Sequence, residues 1–154
     1  MTEDRTPEPP RPLPGEGGWE CFEVAADVGV HAWGPDLASC FRQAALAVFH
    51  LIVPLDAVRP LEHREVSAQG DGPETLLVNW LNELLYLHDI EGFVVHDVEG
   101  PEVVDGRRLH ARLAGEPVDP TRHPAGILVK AATFHQLAVI TEPDRVRARV
   151  VLDI

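Results

Sequence analysis

The sequence predicts an α+β domain of two layers, with a mixed β-sheet carrying two helices on one face. Three observations lead there. The helical signals are only two and both come early, before Gly92, each opened by a Gly or Asp and closed by a Pro or Gly. The second half reads as a series of short β-branched runs separated by turn residues, among them Asp105-Gly106 and Glu142-Pro143-Asp144. Composition is that of a globular protein: of 154 residues, 45% are hydrophobic and 25% charged, enough for one real core.

Residues 1–18 are expected to be a disordered tail. Pro7, Pro9, Pro10, Pro12 and Pro14 forbid a helix, and Gly15, Gly17 and Gly18 add slack. The folded domain is expected over 19–154. Trp19 to Val24 is a first strand, Ala25 to Gly29 a tight segment around Asp27, and Val30 to Trp33 a second strand. Asp36 is a good N-cap for a helix whose apolar stripe runs Leu37, Cys40, Phe41, Ala44, Val48 and Leu51, with Pro54 beyond its end. Leu61 to Gln69 alternates loosely as a strand. Pro73 then starts a second helix, where its missing N–H is harmless, and Glu74 suits the positive end of the helix dipole. Leu76, Leu77, Trp80, Leu81, Leu84, Leu85 and Leu87 make the broadest apolar stripe in the chain. After Gly92 come strand runs from Phe93 to Val104 and from Arg107 to Ala114, joined by an Asp105-Gly106 turn of type I′. A polar loop over 115–126, an apolar run from Leu128 to Ile140 and an alternating strand from Val146 to Asp153 complete the chain. In that last strand Arg147 and Arg149 share the face opposite Val146, Ala148 and Val150.

Several function classes are disfavoured. A net charge of −12 argues against direct nucleic-acid binding, which rests on Lys and Arg meeting phosphates, and suits solubility or docking on a basic protein. No apolar run reaches the roughly 18 residues of a membrane span, and no signal pattern opens the chain, so the expected compartment is the cytosol. Two cysteines, Cys21 and Cys40, make neither a disulfide framework nor a zinc site and are expected to be buried, reduced thiols. Phosphate-loop, dinucleotide, nucleophile-elbow and zinc-protease motifs are all absent. A small hydrolase using Asp27, His123 and His135 lacks a readable nucleophile with an adjacent base. A His123–His135 zinc site lacks a third ligand, and His88-Asp89 and His96-Asp97 read as plain surface pairs.

Three places invite a functional reading beside a plain one. Asp27 lies among small apolar residues, where a buried unpaired carboxylate would be costly; a turn Asp bonded to backbone amides is the plain alternative. Asp153, next to Ile154, concentrates carboxylate charge of the kind that hard cations such as Ca²⁺ or Mg²⁺ take, or else belongs to an exposed frayed strand. The stretch from Gly115 to His123 is either a functional loop at a strand end or a solvated connection.

Several phrases, in order, resemble the archease family: Trp80-Leu81-Asn82-Glu83-Leu84-Leu85-Tyr86-Leu87, Glu91-Gly92-Phe93, Gly115-Glu116-Pro117 with Asp119 and His123, Lys130-Ala131-Ala132-Thr133-Phe134-His135, and Leu152-Asp153-Ile154. The resemblance covers residues 19 to 154. It implies a cytosolic, non-catalytic activator of the GTP-dependent RtcB-type RNA ligase of tRNA splicing, promoting guanylylation of the ligase and its multiple turnover. It also implies a divalent metal, Ca²⁺ in preference to Mg²⁺, at the positions of Asp27, Asp153 and Ile154. Glu116, Asp119, His123, Lys130 and His135 match other motif positions and are candidates for ligase contact or for lining the metal site; Lys130 is the chain's only lysine. A chaperone-like module for other nucleic-acid-modifying proteins is the alternative function. One departure stands out: the family usually has His-Thr-Ala-Asp where this chain has Val24-Ala25-Ala26-Asp27. Loss of the two polar side chains predicts weaker metal binding with the carboxylates kept.

Overall fold

The structure, a computed structural model, describes residues 17–154, so the expected tail lies outside the described residues but for its last two. Ten elements follow in order: strand β1 (Gly18–Val24), β2 (Asp27–Gly34), helix α1 (Leu37–Ile52), a single 3₁₀ turn (Leu55–Ala57), β3 (Glu62–Gln69), α2 (Pro73–Glu91), β4 (Phe93–Val104), β5 (Arg108–Pro117), β6 (Ala131–Thr141) and β7 (Val146–Asp153).

The α+β class holds, and the strands divide into two sheets. One has the order β1-β2-β7-β6 and the other β3-β5-β4. Every neighbouring pair is antiparallel, so neither sheet is mixed. Both helices touch both sheets: α1 packs on β2 and β4, and α2 on β6 and β3. Trp80 Nε1–H of α2 donates to the Phe41 carbonyl of α1 at 3.1 Å, and one stretch further the His88 ring meets Phe49 edge-on, so the helices run in the same direction. A helix covered from two sides must be apolar nearly all round. Ala44 through Phe49 are six consecutive buried residues, as that position requires.

Local chemistry sets the helix ends. The Asp36 carboxylate accepts from the Ser39 amide at 2.8 Å, capping α1. Gly92 closes α2 at φ +65, the left-handed conformation that costs glycine least. Asp105 and Gly106 both have positive φ, as a type I′ hairpin between β4 and β5 demands. The segment around Asp27 departs from expectation. Only Ala25 and Ala26 form the turn, and β2 already begins at Asp27. Gly29 is therefore a strand residue; the Phe22 ring of β1 lies across it, where a Cβ would collide.

Candidate functional site

The order of the four-stranded sheet brings the two singled-out aspartates together. β7 is an interior strand, flanked by β2 and β6. Its register with β2 runs from Gly34↔Val146 to Val28↔Leu152, and one further step sets Asp27 beside Asp153. On the other side Ala131 faces Asp153, and the Lys130 amide donates to the Asp153 carbonyl at 2.8 Å. Asp27, Asp153, Ile154 and Lys130 thus share one end of one sheet. Asp27 is half-buried, while Asp153 and Lys130 are exposed. Neither aspartate side chain has an ion-pair or hydrogen-bond partner among the described residues, so the carboxylates are open to a cation. Among the described residues no three His, Cys, Asp or Glu side chains gather to hold a metal. The Asp27 and Asp153 carboxylates are hard oxygens, of the kind that Ca²⁺ or Mg²⁺ takes in preference to the N and S ligands of zinc.

Three other candidates gather elsewhere, at the end of β5. Glu116 is 3% exposed and acts as an acceptor hub. It takes Arg122 Nη2–H at 2.6 Å and Nη1–H at 3.0 Å, the Arg59 amide at 2.7 Å and His123 Nε2–H at 3.0 Å. Burial pushes the Glu116 carboxyl up, but the hydrogen bonds from Arg122, Arg59 and His123 outweigh it and hold it well below the ordinary range. His123 Nδ1 accepts the Asp119 backbone N–H at 2.8 Å. A backbone amide can only donate, so Nδ1 carries the lone pair and Nε2 the proton. Both ring nitrogens are thereby committed, which removes His123 from any zinc site or general-base role. Asp119 accepts from the Thr121 hydroxyl at 2.7 Å and its amide at 3.0 Å; these bonds hold its carboxyl below the ordinary value.

The two places are linked by the loop between β5 and β6. After the Glu116 hub the chain is fastened to the end of α1, where the Gly126 and Ile127 amides donate to the Ile52 and Leu51 carbonyls. An added Cβ at Gly126 would strike the Leu51 carbonyl oxygen. At the far end Asn82 of α2 clasps Ala132, donating to its carbonyl at 3.2 Å and accepting its amide at 2.8 Å. Glu116, Asp119 and His123 therefore fix the path that delivers Lys130 beside Asp153. Glu116 and His123 are buried, while Asp119 is partly exposed. His135 stands apart, exposed within an irregular part of β6 where Gln136 has φ +54. Sequence reasoning missed Arg59 and Arg122. No spacing signals that a carboxylate at position 116 needs cations from positions 59 and 122.

Comparison with known proteins agrees with the whole folded span. The model of the Archease protein family (MTH1598/TM1083) matches residues 19–154. A protein archease from Pyrococcus abyssi is 40% identical over 139 residues, covering 88% of this chain and 98% of that protein. Another from Methanopyrus kandleri is 38% identical over 138 residues, covering 88% and 99%. The solution structure of Methanobacterium thermoautotrophicum protein 1598 superposes with a TM-score of 0.76 at 35% identity, covering 89% of this chain and 99% of that one. A Thermotoga maritima archease, described as a possible chaperone, shares the fold with a TM-score of 0.59 at 16% identity, covering 86% of this chain and 94% of that one.

Proposed function

The chain belongs to the archease family, and from that premise we propose that it activates a GTP-dependent RtcB-type RNA ligase without performing chemistry itself. The observation that carries the reading is the β2–β7 register, which one step past Val28↔Leu152 sets Asp27 next to Asp153, at the sheet end where the Lys130 amide is also anchored. Carboxylates with no partner among the described residues favour a divalent cation. Ca²⁺ prefers six to eight oxygens, more than Asp27, Asp153 and Ile154 supply, so the remaining positions fall to water or to the ligase. When bound, the cation supplies positive charge at the contact with the ligase, whose guanylylation is a phosphoryl transfer. The chain's own residues do the rest. β2 and β7 bring the two carboxylates to neighbouring positions, the Glu116 hub and Asn82 fix the loop, and Lys130 offers the chain's only lysine side chain. Tyr86 and Ile90, one turn apart on α2, are each 64% exposed, and Leu128 is 71% exposed; such apolar surface supports docking on a protein partner. No helix among the described residues is long and apolar enough to cross a membrane.

The test is ligase guanylylation and multiple-turnover ligation, with and without the protein, using the ligase of the same organism. Stimulation by wild type that is lost in folded Asp27→Ala and Asp153→Ala variants is the expected result. No stimulation by wild type overturns the activator reading and leaves the chaperone-like module as the function to pursue. Stimulation that survives both substitutions overturns the role given to the carboxylates.

A further inference from the structure

The open face of the four-stranded sheet carries a second constellation, away from the aspartate end. Val30, Ala32, Ala148 and Val150 point into the core, so the residues between them point outward. Across the strands one outward row reads Glu20, His31, Arg149, Ala138, and the next reads Gly18, Trp33, Arg147, Ile140. A groove of about 240 Å³ runs over these rows, lined by His31, Trp33, Arg147, Arg149 and Ile140 among others.

Each of these groups is held in place yet left with a free edge. Arg149 Nε–H donates to the Gln136 carbonyl at 2.9 Å, and Arg147 Nε–H to Glu142 at 3.0 Å. A guanidinium has five donors, so each arginine is oriented by one bond and keeps its terminal nitrogens without another partner among the described residues. The His31 ring stacks on Phe22, centroids 4.4 Å apart and 29° between planes, and its Nδ1 lies 3.1 Å from Glu20. The Trp33 indole lies against Gly18, where an added Cβ would come within 2.6 Å of Cζ2. Aromatic rings interleaved with arginines on an antiparallel sheet offer what an unpaired nucleotide requires: a flat apolar surface for the base and a fork of donors for the phosphate.

We propose that this groove binds a nucleoside monophosphate unit, free or within single-stranded RNA, with the base on the Trp33 and His31 rings and the phosphate on Arg147 and Arg149. An acidic peptide would engage the two cations and leave the rings unused, which favours the nucleotide. A net charge of −12 opposes long polyanions, and the groove spans only one such unit, so the interaction is local. With a single phosphate engaged, affinity for a single strand falls with salt at a logarithmic slope of about −0.7. The proposal goes beyond the ligase reading and needs no ligase to be tested.

The experiment titrates the isotopically labelled full chain with AMP, with GMP and with hexauridylate, following the Trp33 indole and the Arg147 and Arg149 Nε–H resonances by NMR. Saturable shifts at these three groups are expected. They should weaken by about tenfold or more in the Arg147→Gln/Arg149→Gln double variant and in Trp33→Leu, each checked for an unchanged fold by its spectrum. Tighter binding of hexauridylate than of mononucleotides identifies RNA as the source; equal binding identifies the free nucleotide. Absence of shifts at millimolar ligand, shifts indifferent to the substitutions, or tighter binding of a hexaglutamate peptide at the same groups overturns the proposal. Because Asp27 and Asp153 lie outside the groove rows, failure here leaves the ligase assay untouched, and the converse holds.

Discussion

Replacing Glu116 by Gln keeps the shape of the hub and removes its charge. Two of the donors on Glu116 have nowhere else to turn: the His123 ring, whose side chain is 0% exposed, and the Arg59 backbone amide. Both bond the same oxygen, Oε2, whose place the glutamine oxygen can take; the buried amide NH₂ then stands where Oε1 accepted from Arg122 and Arg59 and meets donors instead of acceptors, at a cost of about 1–3 kcal/mol. The guanidiniums of Arg122 and Arg59 are 32% and 58% exposed and regain water, so their loss adds little. A total near 2 kcal/mol corresponds to a Tm lowered by about 4–8 °C in a domain of this size. Thermal unfolding followed by circular dichroism at neutral pH reads this directly. The pH dependence supplies an independent check. The native Glu116 carboxyl titrates well below its ordinary value of 4.5, so its stabilisation is fully present above that value and is lost as pH falls through it toward the lower native one. The Tm gap between wild type and Glu116→Gln should therefore be widest above about pH 5 and shrink towards pH 3. A gap under about 2 °C at neutral pH, or one that persists undiminished at pH 3, refutes the hub as described.

Three further outcomes are expected. Gly115→Ala places a Cβ on the Val94 carbonyl oxygen, a backbone atom that cannot yield, and should cost about 3 kcal/mol in chemical denaturation; a neutral effect would show that β4 and β5 separate freely there. The Cys40 thiol is pushed up to about 12 by burial, with Asp36 adding to it, so a thiol-disulfide reagent at pH 8 should leave it unmodified in the native protein and modify it after denaturation, as read by peptide mass. Millimolar CaCl₂ should raise the Tm of wild type, by about 1.4 kcal/mol of stabilisation at ten times Kd, and leave Asp153→Ala unmoved. Equal shifts in both proteins would place calcium elsewhere.

Local elements were legible because their signals are local. Asp36, Pro73, Gly92 and Asp105-Gly106 act within a turn of where they stand, and each does what its chemistry suggests. The tight segment read around Asp27 failed at Gly29, which looks like a break in one dimension. It is a strand position in three, since Phe22 supplies from the neighbouring strand the apolar cover that a glycine lacks. The division into two sheets was hidden for a similar reason. Strand pairing such as β2 with β7 joins residues more than a hundred positions apart, and nothing in the periodicity of either strand names its partner. The site was legible in unequal parts. Residue chemistry alone left Asp27 between a costly buried carboxylate and a turn aspartate, and Asp153 between a cation ligand and a frayed end; the archease resemblance joined them, and the β2–β7 register carried one step past Val28↔Leu152 sets them at neighbouring positions. Glu116 and His123 were singled out by motif, and the structure buries both in one hydrogen-bonded hub. The Arg147–Arg149 alternation was visible, whereas the aromatic rings facing it across β2 needed the register.

β7 has a bearing on how the molecule comes into being. Residues 62–117 contain every strand of the three-stranded sheet, so that sheet can assemble while the chain is still being synthesised. The four-stranded sheet cannot. Until residues 146–153 emerge, β2 and β6 each show a bare edge of amides and carbonyls to the cell. A lesion in β7 is therefore expected to prolong that exposed interval, and to announce itself as inclusion bodies before it is seen as a loss of affinity.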